Sequence, residues 1–187
     1  VSLGRVNCFI GANGVGKSNV LEALGVLGAA ALGRVDDEAI IRRGVRAGLP
    51  RLFKTSFAGT QIPPHITLEA NGESTATFRV SLLNPLENPE PAWSFKTEFL
   101  SSRGTEVLSR GVRDKKNLDE TAGLAALKLV ELKPDDPASL LLKALQAYAI
   151  YTPNTPALRA TVPDPQNRAP VGLVGGGLAE GFQALKR

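Results

Sequence analysis

Gly11-Ala12-Asn13-Gly14-Val15-Gly16-Lys17-Ser18 fits the pattern G-x-x-x-x-G-K-[ST] at every fixed position. Glycines at 11, 14 and 16 permit backbone conformations that a β-carbon would exclude, so successive N–H groups can turn inward toward phosphate oxygens. A helix opening at Ser18 adds the partial positive charge of its N-terminus to the same anion. Lys17 would then reach the β- and γ-phosphates as a point charge, and the Ser18 hydroxyl would sit on Mg2+. The chemistry implied is nucleotide binding with Mg2+.

Such a loop works only between a strand that delivers it and a helix that closes it. Arg5 to Ile10 reads as that strand, with Val6, Cys8 and Ile10 on one face and Phe9 on the other, which predicts cover on both sides. Ser18 to Leu32 reads as the helix, with Val20, Leu24, Leu27 and Ala31 at helical spacing. Gly25 and Gly28 cost helix propensity, about 1 kcal/mol each relative to Ala, and are expected to mark close packing against a sheet. Asp36, Asp37 and Glu38 look like the acidic first turn of a short helix stopped at Gly44.

Proline divides the remainder. None precedes Pro50, six lie between Pro50 and Pro91, and seven between Pro134 and Pro170, so regular structure beyond Pro50 must be interrupted. Leu52–Phe57, Ile66–Ala70, Thr75–Leu83 and Trp93–Leu100 have strand character, and Asn84 to Pro91 reads as an exposed connection. Leu124, Leu127 and Val130 share a helical face, as do Leu140, Leu141, Ala144, Leu145 and Tyr148 after Asp136-Pro137. Tyr151 to Gly177 is loop-rich, with a short helix over 178–186.

The bulk properties exclude several classes. With 187 residues, 43% apolar and 21% charged, the chain has the composition of one globular domain rather than a disordered one. Its longest apolar stretch, Val20 to Leu32, is broken by Glu22 and is too short to span a bilayer. One cysteine and one histidine exclude an internal disulfide and a Cys/His zinc site, and a reducing cytoplasm is the expected compartment. The net charge of +4 is modest. The basic runs Arg42, Arg43, Arg46, Arg51, Lys54 and Arg103, Arg110, Arg113, Lys115, Lys116 are expected to be solvated faces, with phosphate tracking as the alternative. Cys8 is expected to be a core thiol and His65 a surface or turn residue, and Trp93 and Phe95 to anchor a strand. Arg159 could face transferring phosphate, but a structural ion pair is favoured.

Asn13-Gly14 inside the loop, then Asn19 and Leu21-Glu22-Ala23-Leu24, resembles the ATP-binding-cassette class in its RecF, SMC, Rad50 and OLD-nuclease branch. Ile41-Arg42-Arg43-Gly44, the stretch Ile150 to Arg159 and the segment Val171 to Leu185 are similar to elements of bacterial ATPases of that branch. The resemblance implies an α/β fold: a P-loop NTPase core with a mixed sheet, an appended, largely antiparallel β region, and a helical subdomain. Residues 1–116 would form the core and β region, and 117–187 the helical and loop subdomain of one ATPase head. It implies ATP and Mg2+ as cofactors, held by Gly11, Ala12, Asn13, Gly14, Val15, Gly16, Lys17, Ser18 and Asn19, with Ser18 on the metal. It further implies a second ATPase head as partner in a dimer or higher oligomer, with a nuclease or other effector, or DNA, as further partners, often in anti-phage defence.

The same class needs a Walker B acid, a signature serine and a water-positioning Gln. Val35-Asp36-Asp37-Glu38 comes nearest to the first but follows the helix too soon, so helix-start acids are expected. Leu173-Val174-Gly175-Gly176-Gly177 approaches the signature, yet Val174 stands where its serine belongs. Gln61, Gln146 and Gln166 are equal candidates for the Gln, each more simply read as surface. The chain is therefore expected to be the nucleotide-binding part of a longer ATPase whose C-terminal lobe lies outside it. The alternative is a nucleotide-sensing scaffold with little turnover. A small-molecule kinase would need an Arg-rich lid, and a GTPase an Asn-Lys-x-Asp motif; neither is present.

Overall fold

The computed structural model describes residues 1–54, 62–111, 118–166 and 168–185. Helices α1 (Lys17–Ala31) and α2 (Asp37–Ile41) come first, followed by a 3-10 turn at Pro50–Phe53. Strands β1 (His65–Asn71), β2 (Thr77–Leu83), β3 (Ser94–Ser102) and β4 (Thr105–Arg110) follow, then helices α3 (Ala125–Glu131), α4 (Pro137–Ala147), α5 (Thr155–Leu158) and α6 (Leu178–Leu185).

The strands form one antiparallel meander in the order β1-β2-β3-β4. The appended antiparallel region is thus present, whereas the mixed sheet expected of the core is replaced by a wholly antiparallel one. Phe78, Val80 and Leu82 alternate along β2 and are fully buried. They face one core built with Val26 and Leu27 of α1 and Leu142 and Leu145 of α4. The helices after residue 117 therefore contribute to the same core as α1 and the sheet.

Several elements form for visible reasons. Asp36 caps α2, its Oδ1 accepting from the Ala39 N–H at 2.9 Å, and Asp136 caps α4 through the Ala138 N–H at 2.9 Å with Pro137 in the first turn. Asp36, Asp37 and Glu38 are thus helix-start acids, as expected. Gly44 ends the α2 segment at φ 74°, and a Cβ there would lie 2.3 Å from the Ile150 carbonyl oxygen. The exposed loop between β2 and β3 is tied at its neck by buried Asn84, whose amide donates to the Glu90 carbonyl and accepts from the Glu90 N–H.

Several expectations are corrected. Arg5–Ile10 is not a strand: Val6 and Ile10 are 91% and 90% exposed, and Cys8 is exposed rather than a core thiol. A strand needs a partner backbone, none pairs with it among the described residues, and Gly4 and Asn7 close a local turn through the Asn7 side chain. Leu52 and Phe53 lie in the 3-10 turn rather than a strand, Lys54 follows it, and residues 55–57 of that segment lie outside the described residues. The face shared by Leu127 and Val130 is turned to solvent, and Ala125 is the buried residue of α3, where Glu98 accepts from the Leu124 and Ala125 N–H groups. Gly25 and Gly28 pack closely, but against Val45, Arg43 and the Leu145 carbonyl instead of a sheet.

β4 was not foreseen. Arg103 (φ 51°) and Gly104 (φ 76°) make a two-residue hairpin between paired Ser102 and Thr105, a turn that matches strand twist.

Candidate functional site

The loop Gly11–Ser18 stands exposed at the N-terminal end of α1. Gly14 and Gly16 adopt φ 83° and φ 92°, the left-handed region that glycine enters without strain, and no atom lies within 4 Å of where a Cβ would project. Gly16 is the residue from which α1 starts; no side chain caps that end and no acid sits in the first turn. The uncapped N–H groups and helix dipole are thus left for an external anion.

Lys17 Nζ donates to the carbonyl oxygens of Gly11 and Ala12, each at 2.7 Å, which holds its ammonium across the loop. Ser18 and Asn19 are exposed in the first turn of α1. A cleft of about 440 Å³ runs from Gly14, Gly16 and Asn19 to the side chains of Phe53, Lys54 and Ile66. An ATP phosphate chain fits this donor set: open glycine backbone, free helix N–H groups, one cation and one hydroxyl.

Two charged residues of this cleft escaped the motif. Glu22 is held by Arg46, with Nε to Oε1 at 2.5 Å and Nη2 to Oε2 at 3.1 Å. The acceptor Glu22 and the contact with Glu22's charge push the Arg46 pKa up. Lys54 is buried, donates to the carbonyls of Pro64 and Asn84 at 2.7 and 3.1 Å, and lies 5.8 Å from the Trp93 ring centroid. Burial pushes its pKa down. Spacing alone gives no signal for either, since each is placed by chain segments distant in sequence.

The basic runs are not solvated faces throughout. Arg43 is 5% exposed and donates to the Ala39 and Gln146 carbonyls, Arg46 and Arg42 are in salt bridges with Glu22 and Glu38, and Arg51 is exposed. In the second run Arg110 is buried against Glu98, while Arg113, Lys115 and Lys116 lie outside the described residues.

The motif fragments downstream do other work. Leu173–Gly177 wraps the Asp164 carboxylate: Val174 and Gly176 N–H donate to Oδ2 at 3.0 and 3.1 Å, and Gln166 N–H donates to Oδ1 at 2.8 Å. Burial pushes Asp164 up, but these three donors outweigh it and hold its pKa below the usual carboxylate value. The glycine segment therefore carries its own anion, a role legible only once Asp164 is seen beside it. Gln146 donates to the Ala31 carbonyl at 2.8 Å and Gln61 lies outside the described residues. Arg159 is exposed at the end of α5 and makes no salt bridge with a described residue. His65 is exposed at the start of β1, and Trp93 and Phe95 are buried at the start of β3.

No helix among the described residues is long and apolar enough to cross a membrane. No curated protein and no solved structure matches the chain. One family model, described as "AAA domain, putative AbiEii toxin, Type IV TA system", matches residues 6–121, more than half of the chain, and takes in the whole loop and the antiparallel sheet. The chain belongs to that family and is an AAA-type ATPase domain of the nucleotide-binding P-loop class.

Proposed function

We propose that this chain is the ATP-binding part of an ABC-type ATPase head of the RecF, SMC and OLD kind. It would hydrolyse ATP with Mg2+ when a second lobe and a partner head complete the site. The observation that carries this reading is the open loop Gly11–Ser18, with two glycines at positive φ feeding an uncapped helix N-terminus. The N–H groups of Gly14, Val15 and Gly16 would cradle the phosphates beside Ala12 and Asn13. Lys17 would exchange its two loop carbonyls for phosphate oxygens, and the exposed Ser18 hydroxyl would take Mg2+. Asn19 borders the same cleft. ATP-driven closure of two heads would then act on DNA or a nuclease partner in the cytoplasm, in phage defence or DNA repair.

One observation favours the alternative, a nucleotide-sensing scaffold with little turnover. Among the described residues the loop's cleft contains a single carboxylate, Glu22, and Arg46 already holds it. Water activation would need another group.

Lys17→Ala tests nucleotide binding. Its side chain touches only loop carbonyls, so the variant should fold. ATP with Mg2+ should raise the melting temperature of the wild type, a stabilisation of about 2.7 kcal/mol at a hundredfold excess over Kd. An undiminished shift in Lys17→Ala would overturn the assignment.

A further inference from the structure

Three helices end at one place. The C-terminal ends of α1, α2 and α4 converge around a cavity of about 630 Å³ whose walls include Leu32, Arg42, Arg43, Gln146, Gln166 and Arg168. Helix C-termini attract cations, and the arginines use some of their N–H groups there. Arg43 donates to the Ala39 carbonyl at 3.1 Å and to the Gln146 carbonyl at 3.3 Å, and Arg168 donates to the Ala147 carbonyl at 3.2 Å. These bonds fix the guanidinium groups without neutralising them.

Among the described residues no carboxylate lines the cavity. Of the cavity's arginines only Arg42 has an acidic partner among the described residues, Glu38, and that pair is exposed at the rim. Arg43 is 5% exposed, and its Nε has no hydrogen-bond partner. Its pKa is lowered by burial and by the neighbouring Arg168. Two like charges thus line one cavity, offset only by the partial negative charge of the helix ends and of the carbonyls they bond. That arrangement costs free energy unless an anion shares them.

We propose that this cavity is a second anion site, separate from the phosphate loop, which binds a small phosphate-bearing solute through Arg43 and Arg168, with the amides of Gln146 and Gln166 at its edge. Its volume lies within the range of small-molecule sites, roughly 300–1,000 Å³. Leu32 offers an apolar wall. The burial of Arg43 favours a small ligand over a nucleic-acid backbone, because a duplex presents its phosphates on a convex ridge that cannot reach an enclosed guanidinium. Both guanidinium groups can donate to a phosphate while keeping their carbonyl contacts, since each has five N–H donors.

The experiment is a calorimetric titration with inorganic pyrophosphate on the whole chain carrying Lys17→Ala, so that the loop's lysine is gone and any binding left at its N–H groups is common to every variant compared. Pyrophosphate should bind this variant. Adding Arg168→Gln, a half-buried position with one carbonyl bond, should leave the melting temperature nearly unchanged and weaken binding about tenfold or more. Absence of binding to the Lys17→Ala chain, or binding that Arg168→Gln leaves unaltered, would overturn the proposal. So would duplex DNA binding that Arg168→Gln weakens, with a steep salt dependence, while pyrophosphate does not bind.

Discussion

Glu98 and Arg110 meet across paired strands β3 and β4, Oε2 to Nη2 at 3.3 Å, with side chains 0% and 2% exposed. Glu98 also accepts from the Leu124 and Ala125 N–H groups at 2.8 and 2.7 Å, and Arg110 donates to the Ala122 carbonyl at 2.9 Å. One ion pair thereby pins the start of α3 to the sheet. Removing one member leaves the other charge buried, so Arg110→Met should cost about 3–5 kcal/mol in urea denaturation. Adding Glu98→Gln to it should cost less than the two single changes summed.

Glu98 also sets a pH dependence. Burial pushes its pKa up, and the two N–H donors and Arg110 only partly oppose this. Between the ordinary value of 4.5 and the raised one, the folded chain keeps a proton that the unfolded chain has lost, so stability falls as pH rises through that window. The stability margin of wild type over Glu98→Gln should be wider near pH 4 than near pH 7. A constant margin would contradict the sign.

Gly28 tests the packing of α1 on α4. A Cβ there would sit 2.4 Å from the Leu145 carbonyl oxygen, a backbone atom that cannot turn aside, and 2.9 Å from Arg43 Nε. Gly28→Ala should lower stability by about 1–3 kcal/mol, although alanine is the better helix former by about 1 kcal/mol. Thermal denaturation of the variant checks the direction.

Asp164 closes the glycine segment 172–177 on itself. Its lowered pKa means that its contribution to stability is present above the ordinary value of 3.8 and is lost as pH falls through the folded value. Asp164→Ala should speed hydrogen exchange at Val174 and Gly176 at neutral pH, while exchange in the β2 core stays slow. Gly172→Ala should act likewise, because its Cβ would fall 2.1 Å from Asp164 Oδ2.

Turnover separates the two proposed readings. The loop neutralises and orients phosphate but supplies no group to position water. Residues Val1–Arg187 alone should bind ATP and release phosphate at the uncatalysed rate. Turnover by this chain that Glu22→Gln abolishes would show that the Glu22–Arg46 pair opens to serve catalysis.

Local chemistry made the legible parts legible. The Gly11–Ser18 spacing, the Asp36 and Asp136 caps, and the alternation of Phe78, Val80 and Leu82 each act within a few residues. The two-residue turn at Arg103-Gly104 was equally local, but two basic side chains drew the segment into a charge run. What spacing could not show depends on partners remote in sequence. Arg43 meets Gln146, Glu98 meets Ala125, and Asp164 meets Gly176 only after the chain has folded. Val6 and Ile10 show the converse, since strand-like residues stay exposed and form no strand where no described backbone pairs with them.

Mechanically, α1 is a cantilever. Gly25–Ala31 are clamped in the core, while Lys17–Leu24 project to the loop with at most partial cover. Thermal amplitude in such a beam grows toward its free end, which here is the end that holds the anion-binding N–H groups. A ligand arriving there damps the less covered end of the helix, and the clamped end has little left to surrender. Loading should therefore register as an entropy change concentrated in the first two turns of one helix.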